Sequence, residues 1–293
     1  MKIPGLKTLR QSARWLRSRL VPSALILGYH RVAEVHSDPY QLCVTPRHFA
    51  EQLEVLRRYS RLISLQEVIQ GLEQGSLPEK AVALTFDDGY ADLLYNAKAL
   101  LERYQVPATI FVTTGYLGDK FWWDELAGDG HSSTVIPTRY ELLLPLAAEE
   151  RRMLMTQSLP QAEIADKPQL LRALTVEEVV ALARGELFEI GAHTVTHPSL
   201  SDLPEVDQRY EIQQSKSYLE DMLGRQVTSF SYPNGSSSVS TRTIVQASGY
   251  RCACTSINDV VRSGSDPFNL PRFWIPDWDG DTFSAWLRKW LPI

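Results

Sequence analysis

Cysteine is scarce in this chain, with three in 293 residues, at Cys43, Cys252 and Cys254. So small and odd a count argues against a disulfide framework. The one-residue gap between Cys252 and Cys254 is wrong for a zinc ribbon or a redox pair. Buried thiols in a reducing compartment are expected instead. An excess of positive charge is also missing: 30 Lys and Arg stand against 35 Asp and Glu, for a net charge of −5. No nucleic acid partner is therefore expected, since one would favour a basic stripe. No apolar run approaches the ~20 residues needed to span a bilayer. No internal repeat or low-complexity tail is found.

The basic N-terminus (Lys2, Lys7, Arg10, Arg14, Arg17, Arg19) lacks the apolar stretch and small-residue cleavage site of a secretory signal. A cytoplasmic location is the resulting expectation, with residues 1–23 read as a basic helical segment. Drawn as a helix, Leu6 to Leu20 sets Leu6, Leu9, Trp15, Leu16 and Leu20 among arginines. Such a segment either makes peripheral contact with anionic lipid of the inner membrane or caps the rest of the fold.

What the chain does have is 44% hydrophobic content, enough for a large core. Strand and helix signals alternate. Strands are predicted at Ala24–Tyr29, Leu62–Ile63, Ala81–Phe86, Ala108–Val112, Phe188–Ala192, Ser229–Tyr232, Arg251–Thr255 and Leu270–Ile275. Between them, Thr45-Pro46 opens a helix carrying Phe49, Leu53 and Leu56 on one face. Ser64–Glu67 and Thr175–Glu178 read as capping boxes. Further helices are predicted near Asp92–Arg103, Glu205–Leu223, Ser240–Ala247 and Thr282–Trp290. Repeated strand–helix units imply an α/β fold, a parallel sheet curved into a barrel or partial barrel. Residues 116–172 break the rhythm with Phe121-Trp122-Trp123-Asp124, a Gly/Ser-rich stretch from Gly128 to Thr134, and a helical run from Tyr140 to Ser158. They read as an insertion at the barrel mouth, within one catalytic domain of residues 24–293.

Two stretches carry chemistry. Asp87-Asp88-Gly89 ends an apolar strand, and His193-Thr194-Val195-Thr196-His197 follows another about a hundred residues later. Chemistry in such folds gathers at the carboxyl ends of strands. One carboxylate with two imidazoles is a facial ligand set for a divalent metal. The other carboxylate, uncoordinated beside that metal, is placed to take a proton from water. Adjacent buried acids without a cation would also repel one another. These residues point to a metal-dependent hydrolase.

Thr85-Phe86-Asp87-Asp88-Gly89 and His193-Thr194-Val195-Thr196-His197 resemble the first two motifs of the polysaccharide deacetylases of carbohydrate esterase family 4. The resemblance covers roughly residues 24–290. It implies a distorted (β/α) barrel of about seven strands. It also implies that Asp87 is the general base and that Asp88, His193 and His197 hold the metal, with zinc expected and cobalt or nickel as alternatives. The third family motif, Arg-x-Pro-Tyr-Gly, stands here as Ser231-Tyr232-Pro233-Asn234-Gly235. Its Asn234 N–H falls where the family donates to the oxyanion, but the arginine is missing. Arg272, in Leu270-Pro271-Arg272-Phe273, is the candidate replacement; a surface or interface ion pair is the alternative. The histidine that usually serves as general acid near the C-terminus is missing too. His30, in Tyr29-His30-Arg31, resembles the corresponding residue of the poly-N-acetylglucosamine deacetylase branch, with a structural histidine as the alternative.

Trp122, Trp123 and Trp274 could stack on sugar faces or pack in the core. Asp124, read as a contact to a sugar hydroxyl or else as a helix N-cap, and Tyr232 are further candidate substrate contacts. The implied partner is an N-acetylated glycan or glycolipid of the bacterial surface, from which an acetyl group is removed. An O-acetyl esterase, another amide hydrolase, or a non-catalytic glycan-binding barrel are the alternatives on the same fold.

Overall fold

Every residue of Ala81–Phe86 is buried, as a strand covered on both faces must be. The computed structural model, which describes residues 22–35, 37–128, 135–158 and 171–291, builds a curved sheet around it. The strands are β1 (Ser23–Tyr29), β2 (Arg31–Val32), β3 (Cys43–Val44), β4 (Arg61–Leu62), β5 (Ala81–Phe86), β6 (Ala108–Val112), β7 (Phe188–Ala192), β8 (Ser229–Ser231), β9 (Cys252–Cys254), β10 (Val261–Arg262) and β11 (Phe273–Trp274). Seven follow the order β10-β1-β5-β6-β7-β8-β9, while β11 pairs with β1 and β4 with β5. All contacts in this sheet are parallel except β1 with β10. Leu270 bridges to Cys254 on one edge and Phe273 pairs with Leu27 on the other. One short stretch thus touches both ends of the open sheet, and the fold is the distorted barrel expected.

Helices cover the outside: α1 (Pro46–Tyr59), α2 (Leu65–Glu73), α3 (Lys98–Tyr104), α4 (Trp122–Gly128), α5 (Val135–Leu143), α6 (Ala148–Ser158), α7 (Val176–Ala183), α8 (Glu205–Leu223), α9 (Val239–Ala247) and α10 (Gly280–Leu287). Thr45 caps α1, and both capping boxes form. Period-2 alternation divides the strand residues. Leu25, Leu27, Val82 and Leu84 face outward with Phe49, Leu53, Leu56, Leu101, Phe283 and Leu287 of the helices. Ala24, Ile26, Ala81, Ala83, Phe111, Cys252 and Cys254 fill the interior, joined by Leu65, Val68 and Ile69 of α2. All three cysteines are free thiols.

Some elements differ from expectation. The two-residue strands β2, β3 and β10 carry too little alternation to read from sequence. The helix after Asp92 begins with a π-type turn, Leu93–Ala97. The stretch Leu270–Ile275 is not one continuous strand: Pro271 has no N–H to donate to a ladder, and only Phe273–Trp274 pairs regularly. The insertion packs on the barrel rim, where Phe121, Trp122, Trp123, Leu126 and Met155 share a cluster with Tyr90. The N-terminal helix expected over Leu6–Leu20 lies outside the described residues, as does most of the Gly128–Thr134 stretch. No described helix is long and apolar enough to cross a membrane.

Candidate active site

At the end of β5 the chain turns through left-handed backbone, with φ +68° at Asp88 and +83° at Gly89. A non-glycine residue pays ~1–3 kcal/mol for such a conformation. The turn separates two adjacent carboxylates. Asp87 continues the inward row of Ala81, Ala83 and Thr85 and meets Arg272, which donates from Nη1 to Oδ1 at 2.6 Å and from Nη2 to Oδ2 at 2.5 Å. Arg272 is itself fixed by Thr85 Oγ1, Ser231 Oγ and the Thr255 carbonyl. Gly28 makes room for it, since a Cβ there would stand 3.3 Å from Arg272 Cδ and Nε. Burial pushes the Asp87 carboxyl up, but Arg272 and then His193 outweigh it and hold it well below the usual carboxylate range.

Asp88 faces the other way. Its Oδ1 stands 3.5 Å from His193 Nε2 and 3.4 Å from His197 Nε2. These separations are too long or poorly aligned for good hydrogen bonds. Oδ1 is buried and has no hydrogen-bond partner among the described residues. A buried carboxylate oxygen left so is costly unless something positive meets it. The three donor atoms lie within 4.8 Å of one another. Ligand atoms arranged tetrahedrally at ~2.0–2.1 Å from an ion stand about 3.3 Å apart. One carboxylate oxygen and two imidazole nitrogens at this spacing fit a small divalent cation.

The histidine loop is held on several sides. His193 Nδ1 donates to the Ser231 carbonyl at 2.8 Å, which turns Nε2 toward Asp88. Glu211, on the buried face of α8, accepts from the Val195 and Thr196 N–H groups at 2.7 and 2.9 Å and from Thr196 Oγ1 at 2.5 Å. Buried Arg151 of α6 donates to the Thr196 carbonyl at 2.9 Å. Gly115 donates to the Val195 carbonyl at 2.8 Å, and a Cβ there would collide with that oxygen at 2.5 Å. Thr194 and His197 take positive φ within this loop. Burial lowers both imidazoles. Asp87 and Asp88 more than reverse this for His193, whereas His197 falls to about 3.

These groups open into a cavity of about 320 Å³, lined by Asp87, Asp88, His193, His197, His30, Trp123, Asn234 and Trp274 together with Pro39, Tyr40, Leu42, Tyr140 and Ser256. His30 stacks on Trp274 with 4.1 Å between ring centroids, and burial holds its imidazole below the ordinary range. Trp274 is 39% exposed, the one tryptophan among the sugar-stacking candidates with an open face. Asn234 sits in left-handed backbone at φ +55°.

Three residues expected at the substrate do not line this cavity. Trp122 is buried between the Tyr140 ring at 5.0 Å and the Arg151 guanidinium at 4.6 Å. Asp124 is buried and accepts from Tyr90 Oη at 2.9 Å; burial pushes its carboxyl up to about 7. Tyr232 packs on Phe230 and donates to the Phe268 carbonyl. Conversely, Tyr40, Tyr140, Arg151 and Glu211 went unread. Only Glu211 left a trace in sequence, as an acid on the same helical face as Ile212, Ser215 and Leu219.

Comparison with known proteins agrees with this geometry. YxkH of Bacillus subtilis, a polysaccharide deacetylase by name, is 23% identical over 281 residues, covering 95% of this chain and 81% of that one. The poly-beta-1,6-N-acetyl-D-glucosamine N-deacetylase of Staphylococcus epidermidis is 32% identical over 111 residues, 33% of this chain and 38% of that enzyme. In fold, the chain is similar to the Streptococcus pyogenes deacetylase PplD, with a TM-score of 0.67 at 22% identity over 93% of this chain and all of that one. IcaB from Ammonifex degensii matches with a TM-score of 0.66 at 21% identity, covering 91% and 97%. The polysaccharide deacetylase family model matches residues 74–253, more than half the chain. With the acid pair and the histidine loop both inside that match, the chain belongs to the polysaccharide deacetylase family.

Proposed function

We propose that the protein is a metal-dependent hydrolase that removes the N-acetyl group from an amino sugar of a bacterial surface polysaccharide, oligosaccharide or glycolipid. One observation carries this reading. Asp87 is excluded from the Asp88, His193 and His197 donor set, yet lines the same cavity with its carboxylate locked by Arg272. A binding module has no use for an uncoordinated base beside a cation site. The name of the Staphylococcus epidermidis relative supports an N-acetylated sugar as substrate.

Asp88, His193 and His197 would hold the cation, expected to be zinc. When bound, it supplies Lewis acidity, polarising the acetyl carbonyl and making nearby water easier to deprotonate. Asp87 takes the proton of the attacking water, and Arg272 keeps the accepting carboxylate ionised and aimed. The Asn234 N–H donates to the developing oxyanion. His30, on the cavity wall against Trp274, relays to the departing amine the proton that Asp87 took from the water, so its imidazole need not rest protonated. Acetate and a free amino sugar result.

The test is acetate release from N-acetylated glycans and glycolipids by chelated protein with and without added zinc. Activity should require the metal. Asp87→Asn should lose ~10²-fold or more in rate while binding zinc as before. An unchanged rate would remove Asp87 from the chemistry, and release from O-acetylated sugars alone would shift the activity to an esterase.

A further inference from the structure

The cavity has one wall from which the reaction draws only the Asn234 backbone N–H. Tyr40, from the loop before β3, and Tyr140, from α5 of the insertion, meet with ring centroids 5.2 Å apart. Tyr140 Oη donates to Asn234 Oδ1 at 2.9 Å, and Tyr40 Oη donates to the Trp123 carbonyl at 3.2 Å. Three separate parts of the chain are thereby joined across one side of the site. The joint is backed from behind: Trp122 stacks on Tyr140 with the rings 7° from parallel, and Arg151 covers Trp122 while bonding to the histidine loop. Stacked, hydrogen-bonded aromatic rings supported in this way do not swing aside cheaply.

The space left is small. About 320 Å³ lies at the bottom of the range for small-molecule pockets, roughly 300–1,000 Å³. That volume suits one sugar unit with its acetyl group rather than a run of units. An internal unit of a polymer needs an exit on both sides of the reacting sugar, and the joined tyrosines close the cavity on one side.

Taking the deacetylase reading as given, we propose that the Tyr40–Tyr140–Asn234 wall makes the enzyme selective for a single or chain-terminal N-acetylated amino sugar. Units inside a polymer are excluded. Trp274, exposed at the cavity, is the remaining open face on which the accepted sugar or its aglycone can lie.

The experiment uses two probes, a methyl glycoside of N-acetylglucosamine and a β-1,6-linked N-acetylglucosamine hexamer, with mass spectrometry locating each freed amine. Zinc-loaded wild type should deacetylate the monosaccharide and only a terminal unit of the hexamer. Tyr140→Ala, and its combination with Tyr40→Ala, should raise the internal-to-terminal ratio at least about tenfold, the effect of ~1.4 kcal/mol of relieved exclusion. Tyr140→Phe keeps the ring and should keep terminal selectivity. Wild type acting equally on internal units would overturn the proposal. Calorimetry with Asp87→Asn protein supplies a second readout that does not depend on turnover. Equal affinity for both probes supports the wall. Affinity that climbs about tenfold with chain length refutes it, as does failure of both probes to bind. Equal binding without any acetate release would leave the wall standing and sink the deacetylase reading instead.

Discussion

Arg272 and Asp87 form a two-bonded ion pair inside the barrel, at 2.6 and 2.5 Å, with neither side chain more than 5% exposed. The residues are 185 positions apart in sequence. Their meeting follows from topology, because Arg272 precedes β11 and Asp87 follows β5, and both strands flank β1. The guanidinium occupies the space opened by Gly28 on that middle strand.

Arg272→Lys keeps a positive charge but loses the planar fork that engages both carboxylate oxygens. A base misplaced by as little as ~1 Å can cost about 10²-fold in rate. The lysine variant should therefore fold and bind zinc normally while kcat falls by roughly that factor. Arg272→Leu leaves a buried carboxylate unpaired and should cost about 3–5 kcal/mol in stability. Denaturant titration together with steady-state kinetics separates the two effects. Wild-type turnover in the lysine variant would contradict the aiming role.

Asp88 Oδ1 is a buried acceptor facing two imidazole nitrogens, so the folded protein should be stabilised by the ion it suits. A ligand at a thousand times its Kd adds ~4 kcal/mol. Zinc added to chelated protein should raise Tm by several degrees, and His197→Ala should abolish that rise. A shift that survives in the variant would place the cation elsewhere.

Glu211 touches no reacting atom, yet it accepts three hydrogen bonds from Val195 and Thr196, between the two histidines. Glu211→Gln removes the negative charge that the Val195 and Thr196 N–H groups share at Oε2, and its amide N–H2 takes the place of the oxygen that accepts from Thr196 Oγ1. Outer-shell partners of this kind are worth ~10–100-fold in metal affinity. Zinc Kd by chelator competition should rise within that range. A merely structural role would lower Tm and leave Kd untouched.

Much of this was legible in sequence, for reasons that differ between residues. Asp88, His193 and His197 could be read because a metal site demands particular side chains at strand ends, and Asp87 because it stands beside them at the end of the fully buried strand β5. Arg272 was reachable only through a missing charge. Trp122 and Tyr232 show the opposite limit: an aromatic residue buries the same surface in a core as in a cleft, and only packing distinguishes the two. Tyr40, Tyr140 and Arg151 left no signal, since their partners come from loops and helices whose arrangement no local pattern encodes. The strands β2, β3 and β10 are too short for alternation to show.

Asp124 exemplifies a residue whose chemistry differs from its sequence reading. Buried beside Tyr90, with Arg31 countering the effect only partly, its carboxyl is pushed up to about 7. In the unfolded chain it titrates near 3.9. Between those values the folded state keeps a proton that the unfolded state has lost, so stability falls as pH rises through the window from about 4 to 7. At ~1.4 kcal/mol per unit, the loss totals on the order of 4 kcal/mol and is complete above pH 7. Asn at this position still accepts the Tyr90 hydroxyl, whose oxygen takes the Trp123 indole N–H at 2.7 Å, but it has no proton to lose. Urea titrations of metal-free wild type and Asp124→Asn should diverge steadily from pH 4.5 to 7.5, the variant gaining relative stability as pH rises. Parallel stability curves would mean that Asp124 is already ionised in the fold, with Arg31 sufficient to hold it so.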